Sequence, residues 1–328
     1  MFTLSFLDIS SSQIVNELKS NGYFIFEQAL TEQYVEQLLQ EVNFQQILVN
    51  TNDVGVVYAY NQKFLTHCLA SSKKAYDVIT SQKVLDICQE YFDASYKLTN
   101  HRIFQNSKHA HMPWHTDNNL QIGSKIVGKH NMPGLLFLFY LSDVTKNAFQ
   151  YIQDSHTYSH KYNNEIYLSD SFINGNYKKD ILTFPMCRGS IIICNIHGIH
   201  RSEPFQDKNY SRTNLLFQVD QIGSENIGHG EKNLVNTEYL DNLTPELMDY
   251  LGFNFKRNYP PFPSTSVATM TPNDILLLQK QLLPQTLNAF AKNIVKHILP
   301  NELITNGKRM LWHLKSNRLN ISKFSNKQ

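Results

Sequence analysis

A chain of 328 residues, 41% of them hydrophobic, can bury a substantial core in one large domain or in one domain with an extension. Its formal net charge of +2 is too mild to imply a nucleic-acid partner, and its 4 cysteines, Cys68, Cys88, Cys187 and Cys194, have neither the number nor the spacing of a disulfide scaffold or a zinc ribbon. Met1 to Ser12 has no basic leader, and no apolar run approaches the roughly 18–20 residues that span a bilayer, so the expectation is a cytoplasmic protein with reduced thiols.

Ser10-Ser11-Ser12 offers caps for a helix carrying Ile14, Val15 and Leu18, and Asn21-Gly22 stops it before the strand-like Tyr23-Phe24-Ile25-Phe26. Thr31 caps a second helix with Tyr34, Val35, Leu38 and Leu39 at helical spacing. Residues 63–92 contain two further helical stretches, with Val84, Leu85, Cys88 and Tyr91 on one face of the second. From Tyr96 the texture changes to short strands with turn residues between them, the pattern of a sandwich or barrel. The clearest are 98–105, 134–141, 149–153, 181–184, 190–195 and 213–219. The run Leu135 to Leu141 is apolar almost throughout, which predicts a strand buried on both faces.

Beyond Gly223 the barrel pattern fades. Tyr259-Pro260-Pro261-Phe262-Pro263 reads as an extended linker, and Thr271-Pro272-Asn273-Asp274 starts a helix with Ile275, Leu278 and Leu282, followed by apolar residues beyond Pro284. Two regions are expected: residues 1–258, and a linker with a basic helical extension over 259–328. From Lys292 to Lys327 eight Lys or Arg face a single acid, Glu302. Such a surface suits a solvated cap, an anionic membrane or a protein partner; no aromatic stacking platform supports nucleic acid.

The chemistry gathers at Trp114-His115-Thr116-Asp117. On an extended strand residues two apart lie side by side, so His115 and Asp117 can grip one ion. A third ligand is expected from a strand end, and Gly189 to His200 supplies His197 and His200. His200 is favoured, because Ser202 and then Arg212 follow it as a chemical unit. Two His and a carboxylate on one face of iron leave positions for a bidentate 2-oxo acid and dioxygen. An Arg one strand over can clamp the far carboxylate of 2-oxoglutarate, with a Ser hydroxyl adding a hydrogen bond. Gln105, Trp114 and Asn118 are placed to touch cosubstrate or substrate. His109 and His111 fall in a loop before the motif, as a lid at most; Tyr158, His160 and Tyr162 suit either the pocket mouth or a loop packed on itself. Arg188 and Arg201 are expected to face solvent.

The set His115-x-Asp117, the strand 134–141 followed by Ser142-Asp143-Val144, Phe149-Gln150-Tyr151-Ile152 leading to Ser155-His156, then His200-x-Ser202 and Arg212, resembles the phytanoyl-CoA dioxygenase superfamily of Fe(II)/2-oxoglutarate oxygenases. The opening helix, Asn21-Gly22-Tyr23-Phe24-Ile25 and second helix are similar too, so the resemblance spans residues 8–220. It implies a mainly β fold, a double-stranded β-helix (jelly-roll, cupin-like) core with flanking helices. It further implies His115, Asp117 and His200 on Fe(II), Arg212 and Ser202 on 2-oxoglutarate, O2 as oxidant and a small-molecule or lipid- or carrier-linked substrate. Gln153-Asp154 stands where many members have Gly before the Ser-His pair. The retained carboxylate of Asp117 argues for hydroxylation or a related oxidation, since halogenating relatives need that position for chloride. The alternative reading is a non-catalytic metal-binding jelly roll whose C-terminal helices make the functional contact.

Overall fold

The computed structural model describes residues 1–42, 44, 56–59, 62–65, 68–107, 112–122, 125–162, 167–204, 207, 209–222, 233–241, 243–253, 272–300, 302–304, 306–307 and 310. Two of the N-terminal helices begin where side-chain caps dictate. α1 (Leu4–Leu7) precedes α2 (Ser11–Asn21), on which the Ser10 hydroxyl accepts from the Gln13 N–H while the Gln13 side chain accepts from the Ser10 N–H, a reciprocal cap worth about 1 kcal/mol. Gly22 ends α2 at φ 80°, a left-handed conformation that glycine adopts without strain, and an added Cβ would lie 2.3 Å from His156 Nδ1. β1 (Tyr23–Phe26) and α3 (Glu32–Glu41, capped by Thr31) follow, then β2 (Val56–Ala59), β3 (Gln62–Leu65), α4 (Cys68–Ser71), α5 (Lys73–Ile79) and α6 (Gln82–Tyr91).

The strands of the barrel are β4 (Tyr96–Ser107), β5 (Trp114–His115), β6 (Asn119–Ile122), β7 (Lys125–Lys129), β8 (Gly134–Tyr140), β9 (Val144–Ile152), β10 (Tyr167–Leu168), β11 (Ile181–Met186), β12 (Ile191–Asn195), β13 (His200–Ser202) and β14 (Ser211–Gln221), with α7 (Asp170–Asn176) between β10 and β11. A seven-stranded sheet runs β1-β12-β8-β14-β4-β3-β2 and a five-stranded sheet runs β10-β5-β13-β9-β11, every pairing antiparallel; β6 and β7 form a separate hairpin. Two facing antiparallel sheets with helices packed outside are the expected jelly roll.

The seven-stranded sheet is covered on both sides, and β8 shows how. Leu135, Phe137 and Phe139 join Ile191, Ile193, Leu215 and Phe217 in a core shared with α2 to α6, whereas Leu136, Leu138 and Tyr140 point to the other side and pack with Phe149, Tyr151, Phe184 and Ile192 between the sheets. All seven residues of β8 are buried, as its continuous apolar run predicts. Phe137 and Phe217 stack at 4.6 Å, and each buried Phe contributes roughly 1.5–3 kcal/mol.

Past the barrel, α8 (Pro245–Leu251) was not foreseen from the sequence; it buries Tyr250 and Leu251 in the helical core, and the Tyr250 hydroxyl donates to Ile79 O at 3.0 Å. The Pro-rich stretch at 259–263 and the basic residues Lys308, Arg309, Lys315, Arg318, Lys323 and Lys327 lie outside the described residues. α9 (Pro272–Ile298) is a single helix running through Pro284, which removes a backbone hydrogen bond and costs about 3 kcal/mol. It exposes Leu276, Leu283, Leu287, Phe290 and Ile298. Among the described residues no helix is long and apolar enough to cross a membrane.

Candidate active site

β5 and β13 are too short to be conspicuous in sequence, yet they are neighbours in the five-stranded sheet, and their ladder sets His115 directly opposite His200. Asp117 follows just beyond the end of β5, held by its backbone N–H donating to Ile196 O at 2.9 Å. Each imidazole spends Nδ1 on the carbonyl two residues upstream, His115 on Pro113 O at 2.7 Å and His200 on Gly198 O at 3.0 Å. Those bonds assign the proton to Nδ1 and leave the Nε2 lone pair of both rings on the side of Asp117. His115 Nε2 lies 3.6 Å from Asp117 Oδ1 and His200 Nε2 lies 3.3 Å from Asp117 Oδ2. One ligand atom from each of the three residues falls within 4.8 Å of the others, the spread a single ion can bridge.

The supports of His200 are specific. A Cβ on Gly198 would meet Tyr151 Oη at 2.1 Å, so only glycine brings the carbonyl that orients His200 into place. The Ile199 N–H donates to Ser155 Oγ at 2.8 Å, which ties the Ser-His loop to the same strand end. Just before this loop Asp154 takes φ 60°, a left-handed conformation that Asp tolerates. Phe149 stacks on the His200 ring at 5.2 Å.

Burial, with the neighbouring His200 adding to it, pushes the His115 imidazole down to about 3, against the opposing pull of Asp117, so it is neutral at pH 7. Burial works to raise the Asp117 carboxyl, but His200, His115 and Arg102 outweigh it and hold that group below the usual carboxylate range. The ionised carboxylate with a neutral imidazole beside it matches the donor set that binds a divalent transition metal.

On the facing sheet, Arg212 at the head of β14 is 1% exposed, and its Nη2 donates to Ser202 Oγ at 2.6 Å. Its Nε and Nη1 have no hydrogen-bond partner among the described residues. A buried guanidinium with unspent N–H groups is costly in isolation and fits a planar carboxylate. Asn147, at φ 54° within β9, accepts from Asn106 Nδ2 at 3.2 Å and donates to Glu203 O, pinning the strand that carries Ser202. Sequence reasoning missed Asn147, which shares β9 with the polar Thr145, Lys146 and Gln150 and so leaves no signal of its own.

Other expected positions fall elsewhere. Gln105 alternates with Phe104 and Asn106 and has the parity of Ile103, which faces the helical core, so its side chain leaves the inner face of β4 and the expected cosubstrate contact is corrected. Trp114 is buried with Ile152, Leu168 and Ile199. Arg201, expected in solvent, instead lies 4.3 Å over the Trp114 ring, donates to Gln150 Oε1 at 2.8 Å and pairs with Asp170. Arg188 is half-buried rather than solvent-facing. Asn118 donates to His130 O at 2.9 Å and to His197 Nδ1 at 3.0 Å, and His197 Nε2 donates to Met132 O at 3.0 Å, so both nitrogens of His197 are taken. Tyr158 packs on Tyr177 at 5.9 Å. His109 and His111 lie outside the described residues, as does the environment of His160 and Tyr162.

The donor set at His115, Asp117 and His200 fits iron(II), and the two unbonded nitrogens of Arg212 beside Ser202 fit the distal carboxylate of 2-oxoglutarate. A search of curated protein sequences gave no match. Among solved structures the chain is similar to HygX from Streptomyces hygroscopicus with nickel and 2-oxoglutarate bound, at 12% identity and TM-score 0.47, over 64% of this chain and 87% of that one. HygX with iron bound matches at 13% identity and TM-score 0.46, over 64% and 86%. The non-heme alpha ketoglutarate dependent carbocyclase SnoK from nogalamycin biosynthesis matches at 13% identity and TM-score 0.48, over 66% and 85%. The phytanoyl-CoA dioxygenase (PhyH) family profile matches residues 18–213, more than half of the 328-residue chain. That stretch runs from the last turn of α2 to the head of β14 and takes in the His-Asp-His cluster and the Arg212–Ser202 pair: the chain belongs to the phytanoyl-CoA dioxygenase family, the oxygenases that use iron(II), 2-oxoglutarate and O2.

Proposed function

We propose that this oxygenase hydroxylates a small molecule, or a lipid- or carrier-linked one, releasing succinate and CO2. The observation that carries the reading is Asp117, a carboxylate set between two imidazoles where a halogenating relative would leave room for chloride. In this reading His115, Asp117 and His200 hold iron(II), while Arg212 and Ser202 hold the distal carboxylate of 2-oxoglutarate. When bound, iron(II), 2-oxoglutarate and O2 supply the oxidising chemistry: 2-oxoglutarate loses CO2 and takes one oxygen atom to become succinate, and the other oxygen atom enters the substrate.

The chain's own contribution is position and dryness. The carbonyls of Pro113 and Gly198 fix both rings before any metal arrives, so little reorganisation remains. Buried Leu138, Ile192 and Leu216 between the sheets keep the inner end in a low-dielectric setting, where the Arg212 charge acts strongly. Succinate formed from 2-oxoglutarate by Fe(II)-loaded protein in air with a metabolite extract, and abolished in Asp117→Ala, is the expected result. Absence of turnover, together with unchanged metal content in Asp117→Ala, would sink the reading.

The same proposal includes a peripheral contact, on a membrane surface or a partner protein, through α9. Supporting it are exposed Leu283, Leu287 and Phe290, with Lys280 and Lys292 exposed on the same helix. Co-sedimentation with anionic liposomes should fall in Leu287→Glu with Phe290→Glu; equal pelleting of parent and variant counts against the membrane.

A further inference from the structure

Two residues beyond Arg212 on β14 stands Asn214, and the period of a strand puts both side chains on the face turned toward the five-stranded sheet. Asn214 is 0% exposed, and neither its Oδ1 nor its Nδ2 has a hydrogen-bond partner among the described residues. A buried carboxamide with both ends unspent is rare, because each lost bond carries the desolvation cost of the group.

Its immediate ladder neighbours give it no bond. Its ladder partners are Phe104 on β4 and Tyr140 on β8, and the next residue on its own face is Leu216. Phe104 and Leu216 offer no polar side-chain atom. The Tyr140 hydroxyl is committed, accepting from the Phe149 N–H at 3.0 Å, donating to Phe184 O at 3.3 Å and standing within reach of the Arg212 guanidinium. Arg212 carries only donors. This face holds three unspent donor groups, Arg212 Nε, Arg212 Nη1 and Asn214 Nδ2, beside a Ser202 hydroxyl already fixed on Nη2, with the acceptors Asn214 Oδ1 and Asn106 Oδ1 also unspent. Converging donors around a guanidinium call for an anion with several acceptor sites, and a carboxylate provides about four.

We propose that Asn214 is a cosubstrate-binding residue: its carboxamide N–H joins Arg212 on the distal carboxylate of 2-oxoglutarate and makes the site selective for a 2-oxo diacid over a 2-oxo monoacid. This rests on the reading of Arg212 and Ser202 as the cosubstrate clamp. In this assignment Asn214 acts on the far end of the ligand alone.

The test is calorimetric titration of Mn(II)-loaded protein with 2-oxoglutarate and, separately, with 2-oxopentanoate, which keeps the chelating 2-oxo acid head and carries a methyl in place of the distal carboxylate. In Asn214→Leu the Kd for 2-oxoglutarate rises about tenfold while that for 2-oxopentanoate stays as in the parent. Asn214→Asp, which sets a second carboxylate against the ligand and neutralises Arg212, loses 2-oxoglutarate altogether and keeps 2-oxopentanoate. Thermal unfolding without ligand shows Asn214→Leu at or above the parent Tm, because an unpaired polar group has been replaced by an apolar one of similar volume; if it does not fold, Asn214→Ala is read in the same way. Equal 2-oxoglutarate affinity in parent and Asn214→Leu overturns the proposal, as does equal weakening of both acids. A parent that binds 2-oxopentanoate as tightly as 2-oxoglutarate overturns the clamp itself and this proposal with it.

Discussion

Two groups of buried histidines lie in this fold, and they have opposite fates. In the first, His115 and His200 each spend Nδ1 on a backbone carbonyl and turn Nε2 toward Asp117. In the second, His197 bonds Asn118 through Nδ1 and Met132 O through Nε2, while the His130 Nδ1 accepts from the Met132 N–H and its backbone carbonyl from Asn118. A second carboxylate, Asp220, lies outside both groups: it is held by Thr99 and Gln218 and sits where a Cβ on Gly134 would lie 2.3 Å away. Residue type does not separate a metal centre from a scaffold knot; the destination of the second ring nitrogen does.

The largest expected effect breaks the first group. Asp117→Ala removes its only carboxylate, and two neutral imidazoles alone should retain iron at least about 100-fold more weakly, a loss read by elemental analysis after dialysis. His200→Gln should do nearly the same. Retention of full metal content in either variant would contradict the assignment of the cluster. Next in size is Arg212→Ala, which leaves the metal in place and raises the Kd for 2-oxoglutarate by about 10–100-fold, the weight of a charge-assisted hydrogen bond, in titrations of Mn(II)-loaded protein.

The first group was legible in the sequence and the second was not, for a physical reason. His-x-Asp on an extended segment, and a distal His followed by Ser202 and Arg212, are patterns in which spacing alone implies a shared face. Capped helices α2 and α3 and the doubly buried β8 were legible likewise, because propensity, capping and hydrophobic pattern agree there. The two- and three-residue strands β5, β10 and β13, and the hairpin of β6 and β7, exist through tertiary pairing and leave no local pattern. Strand phase was the other gap. A shift of one residue sends a side chain to the opposite face, so Gln105 and Trp114 were expected in the pocket and Arg201 in solvent, and each lies elsewhere. His197 sits in the turn between β12 and β13, where no periodicity says which way a side chain faces.

The two carboxylates sharpen the comparison through pH. Burial lifts the Asp220 carboxyl to about 7, only partly opposed by its bonds from Gln218 and Thr99, whereas Asp117 is held low. A carboxyl whose folded pKa exceeds its unfolded value binds more protons when folded, so its contribution to stability is present below about pH 4 and lost as pH rises through 7. Asn can mimic the protonated acid, accepting from Gln218 and donating to Thr99. Metal-free Asp220→Asn should therefore match the parent near pH 4 and exceed it above pH 7, by an order of 2–4 kcal/mol. Chemical denaturation at the two pH values measures the gap; an equal gap at both would show that Asp220 is ionised throughout.

The smallest effect is the sharpest separator of the two histidine groups. In His197→Gln the new carboxamide can accept from Asn118 and donate to Met132 O, so the knot is largely rebuilt and stability falls by only about 1 kcal/mol. Burial, the largest cause, depresses His197, and takes His130 down to about 4, so both rings are neutral in the folded chain. A histidine depressed in this way withdraws its stability as pH falls below its unfolded value near 6.5. The variant, with one such ring fewer, should lose less stability than the parent between pH 6.5 and 4. Its metal content at pH 7 should equal the parent's, since no nitrogen of His197 is available to an ion. If His197→Gln instead sheds metal as His200→Gln does, the hydrogen bonds to Asn118 and Met132 give way when the ion binds, and the boundary between ligand and scaffold does not lie where the ring nitrogens place it.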